Sequence, residues 1–164
     1  MIERIQPVED GDEWTTLTQR LDFLRATAVL KAEGLTDEQA FATPVPPSAL
    51  TPAGVVKHLS ATERFWFSID FAGLDVAWPY PDEDPHGNFR HDEGDTLSAI
   101  VEEYVRECER SRAAIEGATL GDQAVGEGMT FNLRYALVHM IEETARHCGH
   151  LDLLREVTDG QTGQ

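Results

Sequence analysis

The sequence has few basic residues, few cysteines and no long apolar run. It contains 13 lysine and arginine residues against 30 aspartate and glutamate residues, which gives a formal net charge of −17. Such a surface repels a phosphate backbone, so nucleic-acid binding is not expected. No stretch reaches the roughly 18 consecutive apolar residues that cross a bilayer, and the start lacks the basic-then-apolar order of a signal peptide. These absences predict a cytoplasmic protein that binds neither nucleic acid nor membrane.

Common catalytic motifs are also absent. The two cysteines, Cys108 and Cys148, are too few for a disulfide framework, and the chain has no His-Glu-x-x-His, Cys-x-x-Cys or phosphate-binding glycine loop. Cys148 follows His147 and is a conceivable nucleophile. Adjacent helical residues point about 100° apart, however, and Cys148 lies on an apolar stripe. We therefore interpret Cys148 as a core residue and both cysteines as reduced thiols.

Four segments carry apolar residues at intervals of three and four, which is typical of amphipathic helices. They span residues 12–33, residues 52–71 after a cap at Thr51, a stretch from a cap at Asp95 or Thr96 to Gly117, and residues 132–157. No segment alternates as a strand does. The 164 residues fit one domain, 1–164, with a disordered tail from about residue 158. The sequence predicts an all-α four-helix bundle.

The fourth predicted helix contains His139, His147 and His150. At about 100° per residue, His147 lies roughly 60° from the centre of the apolar stripe, and Glu143 lies about 40° further round. His139 and His150 lie roughly 120° or more from that centre, toward solvent. Because Glu143 and His147 are four residues apart, their side chains stack on adjacent turns and can converge on one cation.

His58, in the second predicted helix, flanks the buried stripe and supplies a third donor. Two imidazoles and a carboxylate suit a divalent metal of the zinc type, and three protein ligands leave one position for water or substrate. The same pattern is also consistent with two histidines at the edge of the core, hydrogen-bonded to water or backbone, and a solvated Glu143. The residues alone leave both interpretations open.

Three segments carry a resemblance to a known family. They read GLTDEQAFATPVPPSALTPAGVVKHLSATERFWF, FRHDEGDTLSAIVEEYVRECERSR and LRYALVHMIEETARHCGHLDLLRE. With these segments the chain resembles the DinB-like four-helix proteins, and within them the actinobacterial branch related to mycothiol-dependent maleylpyruvate isomerase and the mycothiol S-transferases. The resemblance covers nearly the whole chain and implies the DinB/YfiT-like four-helix bundle.

The resemblance also implies a site. The histidine, glutamate and histidine that hold the metal in the isomerase branch fall on His58, Glu143 and His147. Zinc is the expected metal, with nickel, iron or manganese as alternatives. His150 and His139 are then expected to hydrogen-bond near the metal without binding it.

The implied function is a metal-dependent thiol S-transferase. The metal would activate a low-molecular-weight thiol such as mycothiol for attack on a small electrophile, and these two molecules are the expected partners. The same residues also suit a metal-dependent hydrolase that activates water, or a noncatalytic bundle that binds a metal or a small ligand. We further expect a homodimer. Aromatic residues such as Trp14 or Phe67 either form its contact or are buried within one chain.

Overall fold

The described residues form four long α-helices, one short α-helix, one π-helix and one 3₁₀ turn. The structure is a computed structural model, and it describes residues 3–80, 84 and 86–163. The elements are α1 (Glu13–Ala32), α2 (Asp37–Ala40), α3 (Pro52–Glu63), a π-helix (Arg64–Phe71), a 3₁₀ turn (Gly87–Phe89), α4 (Leu97–Ala114) and α5 (Leu133–Asp159). None of the described residues belongs to a β-strand. The predicted all-α class is confirmed.

Each long helix begins at a side chain that accepts a hydrogen bond from the backbone of the first turn. The four acceptors are Asp12, Thr51, Thr96 and Asn132. Proline follows Thr51 at the first helical position, where its missing N–H leaves no hydrogen bond unmade. These caps explain why the helix starts agree closely with the sequence pattern.

Three details differ from the prediction. The second helix is not α-helical throughout, because Arg64–Phe71 forms a π-helix. The residues between the first and second predicted helices contain the short helix α2, which Thr36 and Gln39 stabilise as a reciprocal capping box. The fourth predicted helix continues through residues 158 and 159, which were expected in a disordered tail. It ends where Gly160 adopts a left-handed conformation with φ 78°.

The apolar core contains two clusters of buried side chains. One surrounds Leu59, Tyr104 and Leu151, and the other contains Phe67 and Leu137. Phe67 is fully buried within the chain, which decides between its two alternatives and excludes it from a dimer contact. Within the described part of the chain, no helix is both long and apolar enough to span a membrane.

Candidate metal centre

Three side chains from two helices converge at one point. His58 lies on α3, whereas Glu143 and His147 lie on successive turns of α5. The Oε1 atom of Glu143 is 2.9 Å from Nε2 of His58 and 3.2 Å from Nε2 of His147. One donor atom from each residue lies within 4.8 Å of the other two. Among the described residues, this is the one group of three histidine, cysteine or acidic side chains with such convergence.

The helices place these side chains at the edge of the core. His58 stands between Val55 and Leu59 in sequence, and both of those residues are fully buried. His147 is itself only 5% exposed. The side chains of His58 and Glu143 retain 12% and 14% exposure, so the site borders solvent on one side.

Burial controls the charge of the imidazoles. It lowers the pKa of His147 to about 4, with a further lowering by His58 and an opposing effect of Glu143. Burial also lowers the pKa of His58, against the opposing hydrogen bond with Glu143. Both rings are therefore neutral at neutral pH, and a neutral imidazole is the form that binds a metal.

The carboxyl group behaves in the opposite way. Burial alone would raise the pKa of Glu143, but the hydrogen bond with His58 and the positive charge of Arg146 lower it below the usual value, as do the two imidazoles in the acid range where they take up protons. Glu143 is consequently ionised at neutral pH. Two neutral imidazoles and one carboxylate form the donor set of many three-ligand zinc sites.

The other two histidines have different surroundings. Nδ1 of His150 is 3.2 Å from Nδ1 of His147, so one ring nitrogen can donate a hydrogen bond to the other. His139 packs against Trp66, with ring centroids 4.3 Å apart, and stacks beside Tyr135. None of the hydrogen bonds among the described residues joins His139 to the three donors. The structure thus places His150 next to a donor and His139 in an aromatic group.

A comparison with protein families identifies the chain. A family model described as mycothiol S-transferase matches residues 16–160. The chain belongs to the mycothiol S-transferase family. The match includes all four long helices apart from the first three residues of α1, and it confirms both the resemblance and the expectation of an enzyme. A comparison with curated proteins finds no match.

Neither cysteine of this mycothiol S-transferase family member is available as a nucleophile. Burial raises the pKa of the Cys148 thiol to about 12 and that of the Cys108 thiol further still. The thiol of Cys148 points to the backbone oxygen of Leu24, 3.6 Å away. Both side chains belong to the apolar core, as predicted for Cys148.

Three residues beside the site were missed by the sequence analysis. Arg146 approaches Oε2 of Glu143 at 3.4 Å, and its position three residues further along α5 could have revealed it. Phe89 stacks on the ring of His58 with centroids 4.0 Å apart, and Asn88 precedes it. Asn88 and Phe89 come from an irregular connection, where no periodic pattern indicates which side chain turns inward.

Proposed function

We propose that the protein is a metal-dependent thiol S-transferase that holds a divalent cation with His58, Glu143 and His147. The family match supports the transferase and its thiol. The convergence of three donor atoms within 4.8 Å supports the metal, and it is the observation on which the proposal depends. The neutral imidazoles and the ionised carboxylate fit that cation at neutral pH.

Zinc is the metal that we propose. Two nitrogen donors and one oxygen donor from the protein are typical of catalytic zinc sites, which keep one position open. Nickel, iron and manganese remain alternatives, because histidine and carboxylate also bind these metals. A bound cation would supply the positive charge that favours the thiolate form of a sulfur at the site.

The residues of the chain then have distinct tasks. His58 and His147 provide uncharged donors, and Glu143 provides one negative charge, so the site keeps a net positive charge when it holds a divalent cation. In the overall reaction the thiol loses its proton to solvent, its sulfur forms a bond to an electrophilic carbon of the second substrate, and the bond from that carbon to a leaving group such as bromide breaks, with the electron pair departing on the leaving group. We propose mycothiol as the thiol, on the basis of the family match.

The test is transfer of mycothiol to a small electrophile such as monobromobimane, whose thiol adduct fluoresces. Protein stripped of metal by a chelator should give only the uncatalysed rate, and added zinc should restore catalysis. His147→Ala should stay inactive under the same conditions. Nickel, ferrous iron and manganese are assayed in parallel to identify the best metal.

Other outcomes would overturn this proposal in recognisable ways. Full transfer by metal-free protein would exclude metal dependence. Zinc-dependent cleavage of ester or amide substrates without any thiol would indicate a hydrolase instead. Stoichiometric metal binding without turnover of mycothiol would indicate a binding protein.

We also propose that the protein acts in the cytoplasm as a homodimer. The cytoplasmic location is in keeping with mycothiol, which is a small intracellular thiol. Trp14 remains the aromatic residue proposed for the contact, since it is only partly buried in the chain. Light scattering during size-exclusion chromatography tests whether the protein is a homodimer, and a monomeric mass at micromolar concentration would contradict the proposal.

A further inference from the structure

The segment 87–95, called the strap below, crosses α3 beside the candidate metal centre. The strap lies directly on the helix, because a β-carbon at Gly54 would collide with the backbone oxygen of Phe89. Lys57 of α3 also binds the strap, with Nζ 2.9 Å from Asp92 and 3.2 Å from Asp95. The strap is therefore attached to the same turns of α3 that carry His58.

Phe89 brings an aromatic ring onto the first donor. Its ring lies nearly parallel to the ring of His58, with centroids 4.0 Å apart and an angle of 12° between the planes. It also approaches the ring of His147, at 5.8 Å between centroids. Stacking on one face prevents the His58 ring from turning about its bond to the chain, because rotation would drive the ring edge into Phe89.

Asn88 lies beside the same ring. Nδ1 of His58 is buried and has no hydrogen-bond partner, and the same is true of Oδ1 of Asn88. The side chain of Asn88 lies within hydrogen-bonding range of the His58 ring. Two complementary polar atoms are thus buried near each other without a completed bond. Such atoms cost free energy until they are paired.

Metal binding would complete that pair. Nε2 of His58 lies 2.9 Å from Oε1 of Glu143. Because an ionised carboxylate only accepts hydrogen bonds, a hydrogen bond between these atoms requires the ring hydrogen on Nε2. A cation needs the lone pair of Nε2, so the neutral ring must then carry its hydrogen on Nδ1. Nδ1–H requires an acceptor, and histidines that bind metals commonly donate this hydrogen to a neighbouring oxygen.

We propose that the strap positions His58 for metal binding, with Phe89 fixing the plane of the ring and Asn88 accepting a hydrogen bond from Nδ1. This inference rests on the proposed function, because it assumes a cation at His58. Asn88 and Phe89 are positioning residues that act through His58. Lys57 contributes indirectly, because it fastens the strap.

The test measures the affinity of the metal-free protein for zinc and cobalt by competition with a chromophoric chelator. We expect Asn88→Leu to weaken binding by about 10-fold to 100-fold, in the range found for such supporting hydrogen bonds. Asn88→Asp retains an acceptor oxygen and should restore most of the affinity. Phe89→Ala should also weaken binding and alter the visible absorption of the cobalt form, whereas Phe89→Tyr should do neither.

Phe23→Ala is the matched control, since it removes a partly buried phenyl ring that packs against Arg4 and Arg20. Circular dichroism establishes that each variant is folded, and Asn88→Ala replaces Asn88→Leu if leucine prevents folding. Two results together would overturn the inference. The Asn88 variant and Phe89→Ala would both bind metal as tightly as the wild type, and His147→Ala would bind it more weakly. A wild type that binds no metal would overturn the proposed function as well, so the two failures are distinguishable.

Discussion

Arg25 on α1 and Glu63 on α3 form a buried, two-point ion pair. The guanidinium donates from Nε and Nη2 to the two carboxylate oxygens, at 2.7 and 2.6 Å. The side chain of Arg25 is 3% exposed and that of Glu63 is fully buried. Each charge satisfies the other in the buried interior, so the pair joins α1 to the helix that carries His58.

Removing one partner of this pair should destabilise the bundle strongly. In Arg25→Met the buried carboxylate of Glu63 loses its counter-ion, and we expect a loss of about 3 kcal/mol in the free energy of unfolding, measured by urea denaturation. The double variant Arg25→Met/Glu63→Leu should lose less. Arg112→Met is the control, because Arg112 is 36% exposed and pairs with the half-exposed Asp22. A loss in Arg25→Met no larger than in this control would contradict the prediction.

The donors should decide whether the purified protein retains metal. His58→Ala and His147→Ala each remove one imidazole, and two remaining donors hold a divalent cation poorly. Elemental analysis of untagged protein should find about one metal ion per wild-type chain and almost none in either variant. His139→Ala serves as a control on the same helix and should keep its metal. A full equivalent of metal in His147→Ala would disprove the ligand assignment.

The metal-free protein should lose stability below neutral pH. The pKa of His147 falls from 6.5 to about 4 on folding because the ring is buried. The contribution of neutral His147 to the free energy of unfolding is fully present above pH 6.5. It is lost as the pH falls toward 4, because in this range the imidazole binds a proton in the unfolded chain but not in the folded one. The difference corresponds to at most about 3 kcal/mol. Thermal denaturation across this range should show a shallower pH dependence for His147→Gln, and an unchanged slope would contradict the prediction.

Asp70 should destabilise the protein at neutral pH. Its side chain is buried against Gly128, Oδ2 has no hydrogen-bond partner, and burial raises the pKa of the carboxyl group. Asp70→Asn removes a buried charge and should stabilise the fold by on the order of 1 kcal/mol at neutral pH. The gain should shrink near pH 4, because Asp70 itself becomes protonated. Melting temperatures at both pH values test this, with exposed Asp75→Asn as the neutral control.

Much of the local structure could be predicted from the sequence. Apolar spacing located the four long helices, and cap residues such as Thr51 and Thr96 located helix starts. Helical geometry also selected Glu143 and His147 as an inward pair, because positions four apart share one face. These features depend on neighbours within one or two turns, so the order of residues is sufficient to determine them.

The relations between helices and loops were decided only by the tertiary structure. Helical spacing could not show that Glu143 presents one oxygen to both His58 and His147, or that Phe89 covers His58. Helical spacing also could not decide whether Phe67 lies at a dimer contact or in the core, where it is fully buried. Each of these relations joins residues far apart in the chain. Sequence order determined which side chains could face inward, whereas packing determined which of them meet, how much water they lose and therefore which charge they carry.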